Sequence, residues 1–248
     1  MHGTAPQLCE VEAIAMAVQV MPPGADILIC PPSTLIARAA HVVAGRIAIG
    51  GQNCDAAICG AYTGDVSAQM VKDAGGTWVI VGHSERRQHH GETDAMVAAK
   101  AKAAWLAGLL TIICIGETQA QRRAGQALSV CAAQIAGSVP DCIITASNAI
   151  GYEPLWAIGT GHTPTVEQVA GVHAHIRQCL VARFGAPGRE IRILYGGSVN
   201  SANALEFLSV PEVGGALIGG ASLKAKDFNA IIRALPVRAS RFEHAAVA

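Results

Sequence analysis

The chain has 248 residues, of which 51% are hydrophobic and 15% are charged, and its 18 basic residues balance 18 acidic ones. This composition excludes a disordered protein, and the lack of a net positive field argues against nucleic acid or membranes as partners. The apolar runs are far shorter than the ~20 residues that a membrane-spanning helix needs. The N-terminus lacks a basic region followed by an apolar stretch, so we expect a cytoplasmic protein without a signal peptide.

Seven short apolar runs predict strands that are covered on both faces, as in a parallel sheet. The weakest is the run that begins at Asn148, which is included because of its position. In chain order the predicted strands are Asp26–Cys30, Arg46–Ile49, Trp78–Val81, Leu109–Ile115, Asn148–Gly151, Ile191–Leu194 and Ala216–Ile218.

Alanine-rich stretches with helical character lie between these runs, and the alternation predicts βαβ units. We assign residues 1–236 to one domain, and we expect residues 237–248, which lack a periodic pattern, to form a disordered tail. The predicted helices are Gln7–Val20, Ala95–Leu106, Ala120–Ala136, Thr165–Phe184 and Ala202–Leu208.

The chain opens with a helix rather than a strand. Thr4 is placed to cap this helix, and Pro6 fits its first turn. Because eight strands close a well-packed (β/α) barrel, a leading helix and seven strands predict a barrel that lacks its first strand. An open seven-stranded sheet is the alternative.

The eight cysteines indicate a reduced protein, since they form no CxxC pair and no Cys/His cluster with zinc spacing. Most of them lie in apolar runs, so we expect buried free thiols. We expect no metal ion, and no organic cofactor either, because no dinucleotide-binding fingerprint follows the first strand.

Two candidate catalytic residues directly follow predicted strands, where parallel barrels place their chemistry. His83 lies between a strand and a predicted helix start, where nearby N–H groups favour the neutral imidazole, which can donate to a developing enolate oxygen. Glu153 is flanked by Tyr152, Pro154 and Trp156, and such shielding from water suits a general base. The simpler interpretations are a loop histidine and a surface glutamate.

Glycine-rich segments follow the last predicted strands. Tyr195–Asn200 and Gly219–Leu223 offer backbone N–H groups to an anion, a recurring phosphate site in barrels, although an isolated Gly-Gly pair usually marks only a turn. Pro154 together with Gly159 and Gly161 predicts a hinged lid. The long polar loop Gln52–Asp65 predicts a functional segment or an interface.

Several strings, in their order along the chain, resemble the triosephosphate isomerase family. They are GQNCDAAICGAYTGDVSAQMVKDAG, GHSERR, CIGET, YEPLWAIGTG, YGGSVN and LIGGASLK, and the resemblance extends to about residue 235. It implies a (β/α)8 barrel of glycolysis and gluconeogenesis that interconverts dihydroxyacetone phosphate and glyceraldehyde 3-phosphate through an enediol(ate). It implies no metal and no organic cofactor.

The resemblance also implies a role for individual residues. Glu153 corresponds to the base and His83 to the electrophile that polarises the substrate oxygens. The segment Tyr152–Gly161 corresponds to the closing lid, and Thr63, in the loop Gln52–Asp65, corresponds to a residue that enters the neighbouring subunit of a homodimer. The backbone donors to the phosphate correspond to Gly159, Ser198, Gly219 and Gly220.

One part of the family pattern has no counterpart in this sequence. The family's first strand ends in a segment like Gly-Asn-Trp-Lys-Met, whose Asn and Lys contact the substrate. The nearest lysines here, Lys72, Lys100 and Lys102, follow no predicted strand. We therefore expect impaired activity of the chain as written, and we expect the natural protein to begin upstream of Met1.

Two other functions remain open on the sequence alone. One is an N-terminally truncated, non-catalytic barrel that still binds phosphate-bearing ligands. The other is a different phosphate-binding barrel, such as a sugar-phosphate epimerase, which shares the last two loops but not GHSERR together with YEPLWAIGTG.

Overall fold

The computed structural model describes residues 1–21, 24–141, 148–158 and 162–235, and in this part of the chain strands alternate with helices. The strands are β1 Leu28–Ile29, β2 Ala48–Gly51, β3 Trp78–Val81, β4 Leu110–Ile115, β5 Ala149–Tyr152, β6 Arg192–Tyr195 and β7 Gly215–Ala216. The α-helices are α1 Leu8–Val20, α2 Ile36–Val43, α3 Ala68–Asp73, α4 Ser84–His90, α5 Asp94–Leu106, α6 Gln119–Arg123, α7 Ala127–Ser138, α8 Val166–Phe184, α9 Ala186–Glu190, α10 Ala204–Leu208 and α11 Ala225–Arg233. Short 3-10 helices span Ala5–Gln7, Ser33–Leu35, Leu155–Ala157 and Gly220–Ser222.

The seven strands form one parallel sheet in which spatial order follows sequence order. Leu28 pairs with Ala48 at one edge, and Tyr195 pairs with Ala216 at the other. Parallel neighbours require a crossover, and helices supply these connections. The predicted (β/α)-barrel architecture with seven strands is confirmed. Among the described residues, no hydrogen bond joins β1 to β7.

Apolar side chains cover both faces of the sheet, which explains why its strands read as continuous apolar runs. In β3, Val79 and Val81 belong to the large cluster between sheet and helices. Ile80, which lies between them, packs with Ile112 and Ala149 in a smaller cluster on the opposite face. The alternation follows from the two-residue period of a strand.

The outer helix layer joins the two ends of the sheet. Glu10 of α1 accepts a hydrogen bond from Lys224 Nζ at 3.0 Å and another from the backbone N–H of Ala225 at 2.8 Å. Helix α1 therefore packs against α11 on one side and α2 on the other. Inside this layer, a cleft of about 3390 Å³ extends from Leu28 and Leu217 to the carboxyl ends of the strands.

The bounds of several elements differ from the sequence prediction. The predicted helix Ala120–Ala136 is two helices, because Gly125 adopts a φ of 72° between α6 and α7. Strand β7 begins one residue before the predicted run Ala216–Ile218 and ends two residues earlier. Thr4 precedes a 3-10 turn rather than the α-helix itself. Residues 237–248 lie outside the described part of the chain.

The described cysteines are all free. The expectation of buried thiols is confirmed for Cys54, Cys114 and Cys131, and it is wrong for Cys9 and Cys59, which are exposed. Burial raises the pKa of the Cys54 and Cys131 thiols to about 12, so both stay protonated at neutral pH. No helix of the described residues is both long and apolar enough to cross a membrane.

A buried histidine connects α8 to the loop before β7. His173 is fully buried, and its Nδ1 lies 3.2 Å from the carbonyl oxygen of Glu212. One turn along α8, Arg177 Nε donates to Glu212 Oε2 at 2.7 Å. These two contacts hold Glu212 in a left-handed conformation with a φ of 65°, which is uncommon for a residue other than glycine.

The burial of His173 predicts a loss of stability in acid. Burial lowers the pKa of His173 from 6.5 to about 4 in the folded protein. The unfolded state therefore binds more protons between these values, and the free energy of unfolding falls as the pH decreases from 6.5 to 4. The contribution of this residue is on the order of 3 kcal/mol.

His173→Asn should therefore weaken the pH dependence of urea unfolding across this range. The matched control is His89→Asn, at an exposed histidine, which should keep the parent's dependence. Equal pH dependence in the parent and in His173→Asn would contradict the assignment.

Candidate active site

The side chain of Glu153 lies directly beyond β5 and is 2% exposed. Its carboxylate accepts hydrogen bonds from the Ser84 N–H and the Ser84 hydroxyl, each at 3.0 Å. His83 Nε2 lies 3.0 Å from Glu153 Oε1. The structure thus brings the two predicted catalytic residues together at the start of α4.

His83 is the residue that precedes and caps α4. Its Nδ1 accepts a hydrogen bond from the Glu85 N–H at 3.4 Å. A ring nitrogen that accepts carries no proton, so the neutral ring holds its proton on Nε2, the atom next to Glu153. The side chain is 29% exposed, which leaves this N–H accessible to a ligand oxygen once the carboxylate moves.

Glycines and a neutral thiol surround Glu153. A Cβ at Gly116 would overlap the carbonyl oxygen of Glu153, and a Cβ at Gly196 would lie 2.9 Å from Glu153 Cγ. The pKa of the Cys114 thiol is raised well above its ordinary value by burial and, secondly, by the Glu153 carboxylate. No second charge therefore arises on this side of the carboxylate.

Glu117 is a site residue that the sequence analysis missed. It is fully buried after β4, and its Oε1 accepts from the Tyr152 hydroxyl at 3.1 Å and from Trp156 Nε1 at 2.9 Å. Arg122 lies 3.6 Å from the same oxygen and stacks over the Trp156 ring at 5.3 Å. Glu117 thus anchors the segment on both sides of Glu153. Its position just after a buried strand is the signal that could have identified it.

The two glycine-rich turns border the same cleft. Ser198, Gly219 and Gly220 are exposed, and the structure shows no backbone hydrogen bond from their N–H groups to another described residue. Asn203 Nδ2 donates to Ser198 O at 3.0 Å, and Ser222 Oγ donates to Gly219 O at 2.6 Å, which fixes both turns. Free N–H groups on fixed turns suit a phosphate. Gly159 lies outside the described residues.

None of the lysines considered from the sequence follows a strand, as predicted, and all three lie on helices. Lys72 is in α3, and Lys100 and Lys102 are in α5. Lys100 is buried and donates to Glu92 Oε1 at 2.6 Å and to Asn53 Oδ1 at 2.9 Å. The described residues contain no cluster of His, Cys, Asp or Glu side chains able to hold a metal ion.

Thr63 lies on the surface, apart from the other predicted site residues. It belongs to the exposed part of the loop Gln52–Asp65. In the same loop the large side chains of Ile58 and Tyr62 are 50% and 54% exposed.

The fold and these residues define a (β/α)-barrel enzyme with a carboxylate and an imidazole paired at the carboxyl ends of its strands. The family model described as Triosephosphate isomerase matches residues 1–235. The chain belongs to the triosephosphate isomerase family.

Individual relatives agree with this assignment. The triosephosphate isomerase of Ruegeria pomeroyi is 57% identical over 237 residues, which cover 95% of this chain and 94% of the relative. That of Ruegeria sp. strain TM1040 is 56% identical over 235 residues, with coverages of 95% and 94%. The crystal structure of triosephosphate isomerase from Bartonella henselae has a TM-score of 0.87 and 48% identity, and the match covers 94% of each chain.

The close approach of Gly116 to Glu153 predicts a large cost for any side chain there. Gly116→Ala should destabilise the protein by about 3 kcal/mol, because the rigid backbone of Glu153 has to shift. Gly171→Ala is the matched control, since Gly171 lies within α8 and has no neighbouring atom in the way. That change should be neutral or stabilise by up to ~1 kcal/mol. Urea unfolding measures both, and equal effects would refute the packing argument.

Proposed function

We propose that the protein interconverts dihydroxyacetone phosphate and glyceraldehyde 3-phosphate, with residues 1–236 as a single catalytic domain. The observation that carries this proposal is the contact between the buried Glu153 carboxylate and His83 Nε2 at 3.0 Å. This pair lies at the strand ends of a chain whose relatives are named triosephosphate isomerase at more than half identity. The family relationship supports catalysis over a non-catalytic phosphate-binding barrel.

Glu153 is proposed as the base that moves the proton. Its carboxylate leaves Ser84, accepts a proton from the carbon next to the substrate carbonyl, and returns that proton to the adjacent carbon. The electron pair of the broken C–H bond becomes the C=C bond of the enediolate, while the former carbonyl oxygen takes the negative charge. When the proton returns to the adjacent carbon, the C=C pair forms the new C–H bond. The hydroxyl proton passes from the first oxygen to the second by way of His83 Nε2, and the first oxygen becomes the carbonyl. The shielding of Glu153 from water keeps the proton from escaping to solvent.

His83 is proposed to stabilise the enediolate oxygen. With its proton on Nε2, the neutral imidazole donates a hydrogen bond to the oxygen on which negative charge develops. Its Nδ1 contact with the Glu85 N–H fixes this tautomer. The proton transfers are assigned to these two side chains, and the proposed chemistry includes no metal ion and no organic cofactor.

The phosphate is proposed to bind to backbone N–H groups of Ser198, Gly219 and Gly220, with Gly159 as a further donor. The chain has no net charge, with 18 basic and 18 acidic residues. Local N–H dipoles rather than a broad positive field therefore supply the attraction. The exposed positions of the described three residues at the cleft support this assignment.

Glu153→Gln tests the assignment of the base. The amide preserves the size of the side chain but cannot accept a proton, so kcat should fall by about 10³-fold. Glu206→Gln, at an exposed carboxylate on α10, is the control and should keep the parent's rate. An enzyme-coupled assay measures kcat, and binding of a phosphoglycolate-type inhibitor shows whether the variant site is intact. Inhibitor binding without turnover in the parent would favour the non-catalytic alternative.

We further propose a cytoplasmic homodimer, formed through the loop Gln52–Asp65. Free thiols persist in a reducing compartment, and the described cysteines are unpaired. The exposed Ile58 and Tyr62 offer apolar contact area beside Thr63. Exposed apolar side chains that lie close together on a loop are more stable in a buried interface than on a surface in contact with water.

Thr63→Arg should dissociate this dimer, because it would place an unpaired charge in a buried interface. Sedimentation velocity should show the parent as a dimer and the variant as a monomer. Ala133→Arg, at an exposed position of α7, is the control and should remain dimeric. A monomeric parent would contradict the proposed assembly.

A further inference from the structure

Gln134 of α7 holds one residue of the site by both of its backbone polar groups. Its Oε1 accepts from the Gly116 N–H at 2.7 Å, and its Nε2 donates to the Gly116 carbonyl at 3.2 Å. A carboxamide that binds both groups of one residue acts like the peptide of an adjacent strand. The side chain is half-buried, and its hydrogen bonds go to Gly116 rather than to Glu153.

Gly116 occupies the junction at which β4 supports the catalytic segment. The Glu153 N–H donates to the Ile115 carbonyl at 2.7 Å, and the Leu155 N–H donates to the Glu117 carbonyl at 3.1 Å. Gly116 lies between these two acceptors. It also contacts the Glu153 backbone so closely that a Cβ would overlap the Glu153 carbonyl.

Rotation of the peptide between Ile115 and Gly116 would therefore displace the carbonyl that accepts from the Glu153 N–H. Rotation of the next peptide would shift the residue whose carbonyl accepts from the Leu155 N–H. The carboxamide of Gln134 opposes both rotations from the helix side, where α7 packs on β4. Misplacement of a base by as little as ~1 Å costs on the order of a hundredfold in rate, so an anchor at this junction matters for proton transfer.

We propose that Gln134 is a positioning residue for Glu153, which acts through Gly116 and touches neither substrate nor base. The proposal rests on the role of Glu153 in the proposed function. It extends the site to a side chain on the outer layer of helices.

Gln134→Met tests this role, since methionine has a similar length and volume but lacks the amide. The matched control is Gln126→Met, the same change at an exposed residue before the same helix, whose side chain makes no capping hydrogen bond. Amide hydrogen exchange, followed by NMR, measures how stable the hydrogen bonds at the junction are. Catalysis is measured by kcat, by KM and by the primary deuterium isotope effect. For the isotope effect, the substrate carries deuterium on the carbon that loses its proton.

In Gln134→Met, exchange of the Glu153 and Leu155 amides should accelerate by about tenfold, while the amides of β3 keep their rates. We expect kcat to fall by about tenfold with KM unchanged, and the isotope effect to rise because proton transfer becomes slower. A fold weakened as a whole would accelerate exchange across the sheet and leave the isotope effect unchanged. Gln126→Met should change none of these quantities.

Three results for Gln134→Met would overturn the positioning role. The amides of Glu153 and Leu155 could exchange at the parent's rate, or exchange could accelerate equally throughout the sheet. The third result is faster exchange at the junction alone, with kcat and the isotope effect unchanged. Failure of the proposed function is distinguishable from failure of the positioning role, because it appears as a lack of turnover in the parent protein. If the parent shows no turnover, the exchange rate of the Glu153 amide in Gln134→Met alone decides whether Gln134 positions that residue.

Discussion

The parallel pairing of β4 with β5 at their carboxyl ends is the constraint on which the site depends. The hydrogen bond from the Glu153 N–H to the Ile115 carbonyl extends this pairing by one residue beyond β5 and carries the glutamate to the edge of the sheet. Because parallel neighbours end at the same edge, the adjoining β3 delivers His83 and Ser84 to the same place. Gly116 permits this arrangement because no side chain fits between the two strand ends.

Electrostatics at the site are local rather than global. The chain has no net charge. The Glu153 carboxylate is stabilised by the N–H and the hydroxyl of Ser84, which are neutral hydrogen-bond donors. Glu117 differs, since it accepts from Tyr152 and Trp156 and also forms an ion pair with Arg122 at 3.6 Å. Glu153 is thus held by the two Ser84 donors and has no ion pair with an arginine or a lysine among the described residues, which suits the movement proposed for it.

The fold and the positions of His83 and Glu153 were predictable from the sequence because each depends on local pattern. Buried strands produce continuous apolar runs, and His83 and Glu153 follow such runs directly. Gln134 was not predictable, since its role arises from a contact across the chain that no local pattern encodes. Glu117 follows a buried strand, which is a local signal, but its partners lie far along the chain. The break at Gly125 was missed for a related reason: alanine-rich sequence is helical on either side of one left-handed glycine.

The contact of Glu10 with the start of α11 has a consequence for synthesis on the ribosome. It joins residues separated by 215 positions, so it cannot form until almost the whole chain has emerged. Earlier βα units can pack as they appear, but the first helix keeps one face without a partner through most of translation. Closing so long a loop is slow, and the docking of α1 against α11 is therefore a late step of folding.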